Sequence, residues 1–178
     1  MRWKEAGPAL KVLVDGTGMM AQEIVRSTNE AHNFSYWLGY SAEETGKLYA
    51  LGQLNNKSLT DTVAIVRGTG QLLNLQYKTS LDLRKVEQEV AKASATVKYN
   101  LSSNPKALAE AAFFATKLGM SLKEIESAAE STLNFEQSIQ DQLTYQTMTG
   151  KELNIDAYQQ AALSGDAATA AKELDKLI

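Results

Sequence analysis

The chain has no cysteine, only two prolines and a single histidine. Without cysteine there can be no disulfide, no thiolate nucleophile and no cysteine-based zinc site. His32 stands alone, so a two-histidine metal site is excluded and a Ser-His-Asp arrangement would depend on it entirely. Its expected role is that of a surface or partly packed side chain. No apolar run approaches the roughly 18 residues that span a bilayer. The longest candidate, ALAEAAFFA at 107–115, is short and carries Glu110. A formal charge of −3 argues against a nucleic-acid surface, where one face would be strongly basic. Trp3, Trp37 and the seven tyrosines show no basic interleaving and are expected to pack. In the opening MRWKEAGPALKVLVDG, Glu5 and Pro8 fall where a signal peptide needs its apolar stretch. Secretion by a signal peptide is not expected.

What is present is helix-forming. Ala, Leu, Gln, Glu and Lys dominate, and alternating strand patterns are few. The expected class is all-α: a multi-helix bundle of antiparallel helical hairpins, about 6–8 helices, in a chain long enough to bury a core. An N-terminal helical segment over 1–36 and a helical bundle domain over 37–178 is the expected division, and one continuous domain is the other option. The first segment reads as a helix from Pro8 or Ala9 to Ala31, interrupted near Gly16 and Gly18.

Further along, start and stop signals recur. Ser41 with Glu44 and Ser121 with Glu124 each form a capping box. Asn55-Asn56 stops one helix, and Ser58 or Thr60 starts the next, whose stripe is Val63, Val66 and Leu72 or Leu73. The glycines of RGTGQ (67–71) read as a helix break, since no Lys-Ser or Lys-Thr pair follows as a P-loop requires. VDGTG (14–18) is read the same way. A start near Ser80 opens a helix with Leu83, Val86, Val90, Ala93 and Val97 on one face and Lys85, Gln88, Glu89 and Lys92 on the other. Asn104 and Pro105 begin another helix, which Gly119 ends. From there the spacing predicts one long helix near 122–148, its inner seam running through Ile125, Ala128 or Ala129, Thr132, Phe135, Ile139, Leu143 and Gln146. Gly150 stops it, Asn154 caps a helix of about nine residues, Gly165 ends that, and Asp166 caps the last. So short a helix forms only if Ile155, Tyr158 and Ala162 dock on neighbours. LGYSAEETGKL (38–48) and LGMSLKEIESA (118–128) share Leu-Gly-x-Ser-x-x-Glu. Shared stop-and-cap grammar accounts for this better than a solenoid repeat of about 40 residues.

Catalytic constellations are scarce. IESAAES (125–131) contains Glu-Ser twice, at Glu126 and Glu130, a pair that also occurs at the catalytic glutamate of lytic transglycosylases. The following TLNFEQ lacks that family's glycine-rich continuation, and both glutamates are expected on a solvated mid-helix face. No catalytic residue, cofactor site or metal site is assigned.

The stretch 104–177, with landmarks NPKALA, KLGMSLKEIE, LNFEQSI, TGKELN and AALSGDAATAAKEL, resembles a segment of the tail tape measure proteins and related virion structural proteins of tailed bacteriophages. LGYSAEETGKLYAL (38–51) and DLRKVEQEVAKASATV (82–97) resemble the same region, whereas TYQTMTG (144–150) departs from it. The resemblance implies a non-enzymatic, mostly helical tail component that acts through protein–protein contacts in tail assembly and length determination. It implies a location in the virion tail, or in the host cytoplasm during assembly, with tail or virion proteins as partners and a homo-oligomer as a further option. It also makes these 178 residues one piece of a longer chain, as does KELDKLI ending inside an unfinished helix. Gln137, Gln142 and Gln146 are the candidate contact region. The alternatives are an intracellular α-helical adaptor or regulatory domain and, behind it, a cell-wall-degrading enzyme fragment.

Overall fold

The computed structural model describes residues 39–93 and 104–177, together with Asn33, Val97, Lys98 and Leu101. The expectations for the N-terminal helix, for His32 and for Trp3 and Trp37 lie outside the described residues. Within them the fold is an all-α bundle: α1 (Ala42–Leu54), α2 (Leu59–Gln76), α3 (Leu83–Lys92), α4 (Pro105–Leu118), α5 (Leu122–Ser131), α6 (Phe135–Thr149), α7 (Asp156–Ser164) and α8 (Ala167–Leu177).

The caps follow the sequence closely. Ser41 and Ser121 each accept from the backbone N–H of Glu44 and Glu124, and each glutamate reaches back to the cap N–H, completing both boxes. Each such cap contributes about 1 kcal/mol. Gly39 and Gly119 both have positive φ two residues before the serine, so the repeated Leu-Gly-x-Ser-x-x-Glu is one local device used twice. Asn104 caps α4 with Pro105 in its first turn, and Gly119, Gly150 and Gly165 close α4, α6 and α7 in the left-handed conformation. Asp166 Oδ1 accepts from the N–H groups of Ala168 and Thr169, both at 3.1 Å. Two boundaries shift slightly. Asp82, not Ser80, caps α3, and Ile155 stands at the start of α7 while Asn154 Oδ1 accepts from Asp156 N–H at 3.0 Å.

Two expectations are corrected. Gly68 and Gly70 do not break α2, which runs unbroken from Leu59 to Gln76. At Gly70 a Cβ would lie 2.7 Å from Leu83 Cδ2, so there the missing side chain leaves room for the Leu83 methyl against α2. The long helix near 122–148 does not exist as one rod. It ends at Ser131 and resumes at Phe135, because side chains capture the backbone between them. Ser131 and Thr132 hydroxyls donate to the carbonyls of Ala128 and Ala129, and Asn134 accepts from Gln137 N–H, which starts a new helix. The seam expected to run along the whole length is therefore split. Ile125 and Ala129 are buried, whereas Phe135, Ile139 and Leu143 are exposed.

The core is organised around α4. Leu108, Ala109, Ala111, Ala112, Phe113, Phe114 and Ala115 of this helix are all buried, and it packs on α2 and α3 on one side and on α8 on the other. Phe113 and Phe114 meet edge to face at 5.6 Å between centroids, and Tyr77 sits edge-on to Phe114 at 5.2 Å. Helices α1, α2 and α3 pack on one another, and α5, α7 and α8 form the second group. Lys117 Nζ, 2.7 Å from Asp175 Oδ2, fastens α4 to α8. The short α7 docks as expected through Ile155 and Tyr158, both buried, with Ala161 deeper than Ala162.

Candidate functional site

Five of the nine large exposed apolar side chains among the described residues, Phe135, Ile139, Leu143, Tyr145 and Met148, are on α6. Of its 15 residues only Ser138 is buried, held by Gln159, whose Nε2 donates to Ser138 Oγ at 3.0 Å and to the Thr132 carbonyl at 2.8 Å. Phe135, Ile139 and Leu143, spaced four apart and so on one stripe of the helix, are 51%, 55% and 58% exposed. Met148 points from the other side and is exposed as well. The helix carries Glu136 and Asp141 and no cationic residue. Gln142 is half-buried and, with Gln146, flanks the stripe, whereas Gln137 turns away to donate to Asp141 Oδ1 at 2.9 Å. The three glutamines singled out by sequence thus do not share one face. The apolar stripe beside two of them is the feature that reading missed, because a long helix made it look like core.

A depression of about 300 Å³ lies under the body-facing side of α6, lined among others by Ser138, Asp141, Gln142, Leu153, Tyr158 and Leu174. Glu126 and Glu130 line a separate recess of about 80 Å³ whose floor is alanine: Ala129, Ala161, Ala162 and Ala170. Glu130 is exposed and Glu126 half-buried, close to the solvated placement expected of them. Lys85, Gln88, Glu89 and Lys92 edge a shallow dip beside Gly119 and Met120. Among the described residues no group of three or more histidine, cysteine or acidic side chains could hold a metal ion. Among them too, no helix is long and apolar enough to cross a membrane.

The most concentrated charge is buried, at Glu87, which sequence reasoning passed over because it lies between the apolar positions of α3. Its carboxylate is fully enclosed and accepts from the Tyr40 hydroxyl and, at 2.8 Å, from Arg67 Nε. Arg84 stacks 3.7 Å over the Tyr40 ring, donates to Glu44 at 2.6 Å, and brings Nη1 to 3.9 Å from Glu87. Burial and then the Glu87 hydrogen bond push the Tyr40 phenol well above its ordinary range. The same carboxylate raises Arg67. Burial opposes ionisation of Glu44, but the Ser41 N–H and Arg84 outweigh it and hold that carboxyl below its usual range. Among the described residues Arg84 Nη1 is buried without a hydrogen bond, its nearest acid being Glu87 at 3.9 Å, while the other contacts of the cluster clamp α1, α2 and α3 together. Lys98 is the other perturbed cation: burial, with Lys47 nearby, lowers it to about 8, and its Nζ donates to the Ala91 carbonyl at 2.9 Å.

No protein-family model matches the chain, and no curated protein or solved structure matches it either.

Proposed function

We propose that the chain is a non-enzymatic structural segment of a phage virion, similar to the tail tape measure proteins, that works through protein–protein contacts in tail assembly. The observation that carries the contact reading is α6. A helix of 15 residues is marginal alone in water, and this one buries a single residue while displaying Phe135, Ile139 and Leu143. Apolar side chains clustered on one exposed face are a mark of interaction surfaces. The remainder of the polar inventory supports the same reading: capping boxes, the Glu87 clamp and the Lys117–Asp175 pair all join helix to helix. The resemblance of 104–177 to tape measure segments supplies the setting.

The test is biochemical. Phage particles are induced from the strain whose genome encodes this sequence, purified by density, and separated into heads and tails. Peptides spanning 104–177 are expected in the tail fraction by mass spectrometry. Their absence from intact particles, with the protein present in the lysate, overturns the virion assignment.

A further inference from the structure

We propose that α6 is a strap that opens and recloses over the depression beneath it while the rest of the bundle stays folded, with Gln159 as its latch. Burial sets α6 apart. Helix α4 buries eight of its 14 residues, whereas α6 buries one of 15, and that one is a serine. No apolar side chain of α6 belongs to the core or packs against it, and no other helix packs closely on α6. Lifting it therefore costs almost no core burial, the condition under which a segment opens ahead of the whole fold.

The polar contacts agree with this. Gln137 donates to Asp141, and the hydroxyls of Thr144, Thr147 and Thr149 donate to carbonyls four residues back, so these bonds stay inside α6. Back-bonded hydroxyls of this kind weaken a helix slightly and anchor it to nothing. Among the described residues, one side chain from another helix hydrogen-bonds to α6, and it is Gln159. Its Nε2 donates to Ser138 Oγ within α6 and to the Thr132 carbonyl ahead of it. A single amide thus fixes the angle at which α6 leaves α5. Both ends of α6 are pivots. At Asn134 the φ of −76° lies in the helical range and the ψ of 84° outside it, so rotation about one bond redirects the helix that follows. Gly150, at a φ of 68°, turns the chain at the far end. Opening bares the underside of α6 at Ser138 and the depression floor at Leu153, Tyr158 and Leu174.

Native-state amide hydrogen exchange on the full chain tests this, read at rising urea below the unfolding transition. Amides of α6 are expected to exchange through a local opening nearly independent of urea, and those of α4 only through global unfolding, which rises steeply with it. Gln159→Met keeps the stem and removes the amide. It should speed exchange across α6 by about ten- to thirtyfold, the effect of two neutral hydrogen bonds, and Ser138→Ala, which removes one, by about fivefold. Gln160→Met, exposed on the same helix, should leave α6 unchanged. The absence of native cysteine permits a second readout. The thiol of Ser138→Cys, buried under the closed strap, should react with a water-soluble disulfide faster by a similar factor once Gln159→Met is added. Amides of α6 with the urea dependence of α4 overturn the proposal, and so do α6 amides with no protection at all. Exchange in α6 indifferent to Gln159→Met overturns the latch, most plainly if α4 alone exchanges faster, because the glutamine then steadies the bundle and not the strap. A thiol rate that ignores Gln159→Met overturns the uncovering of the depression. None of these outcomes bears on whether the chain is found in tails, which the particle experiment decides.

Discussion

Ile125 and Ile139 have the same side chain, lie 14 positions apart, and belong to what the sequence presents as a single seam. Truncating each to alanine separates a continuous rod from the broken one. Ile125 is fully buried where α5 packs on α7 and α8. The buried residues of those two helices are Tyr158 and the alanines 161, 167, 170 and 171. Alanines have no side chain that can swing in to fill a hole, so the cost of Ile125→Ala belongs in the upper part of the usual range, about 3–5 kcal/mol. For a chain of this size that lowers Tm by about 6–20 °C. Ile139 is more than half exposed, so truncation removes at most about 1 kcal/mol of burial, part of which alanine's better helix propensity restores. Its Tm should fall by no more than about 4 °C. The assay is thermal unfolding followed by far-ultraviolet circular dichroism, in dilute solution where self-association is negligible. Equal losses at the two sites would refute the break at 132–134 and the exposure of α6 with it.

Two further expectations concern buried charge. Arg67→Met leaves the Glu87 carboxylate enclosed with one hydrogen-bond donor, Tyr40, and should cost about 3 kcal/mol in urea unfolding. Adding Glu87→Leu and Tyr40→Phe should recover most of that loss, and a triple variant no more stable than Arg67→Met would count against the clamp. Lys98 titrates near 8 in the folded chain and near its ordinary 10.5 when unfolded. Below pH 8 it is charged in both states and the burial penalty is fully felt. Between those values the unfolded chain binds more protons, so stability gains with rising pH. Lys98→Met should therefore be more stable than the parent at pH 7, with the gap closing toward pH 10.5. A gap independent of pH would show that the amine is solvated.

Caps were the most legible part of the sequence, because a serine, asparagine or glycine at a helix end acts on backbone groups within three or four residues. Ser41, Ser58, Asn104, Ser121, Gly150 and Gly165 all stand where local chemistry places them. Burial depends on distant residues and was read less well. Leu72 and Leu73 were equal candidates until the packing of the bundle buried Leu73 and left Leu72 68% exposed. The break before α6 turned on three short polar side chains, Ser131, Thr132 and Asn134, embedded in a heptad-like spacing that outweighed them on paper. Glu87 was hidden for the opposite reason: its partners, Tyr40 and Arg67, are 47 and 20 positions away, beyond any local pattern.

The position of α4 bears on how the molecule comes apart. With α2 and α3 against one flank and α8 against the other, this helix is a wall common to both halves of the bundle. Neither half keeps its interior once the wall leaves, so melting is expected as one sharp event without a half-folded survivor. A protease that nicks the stretch before Pro105 would then leave two pieces that stay associated until heat separates them together.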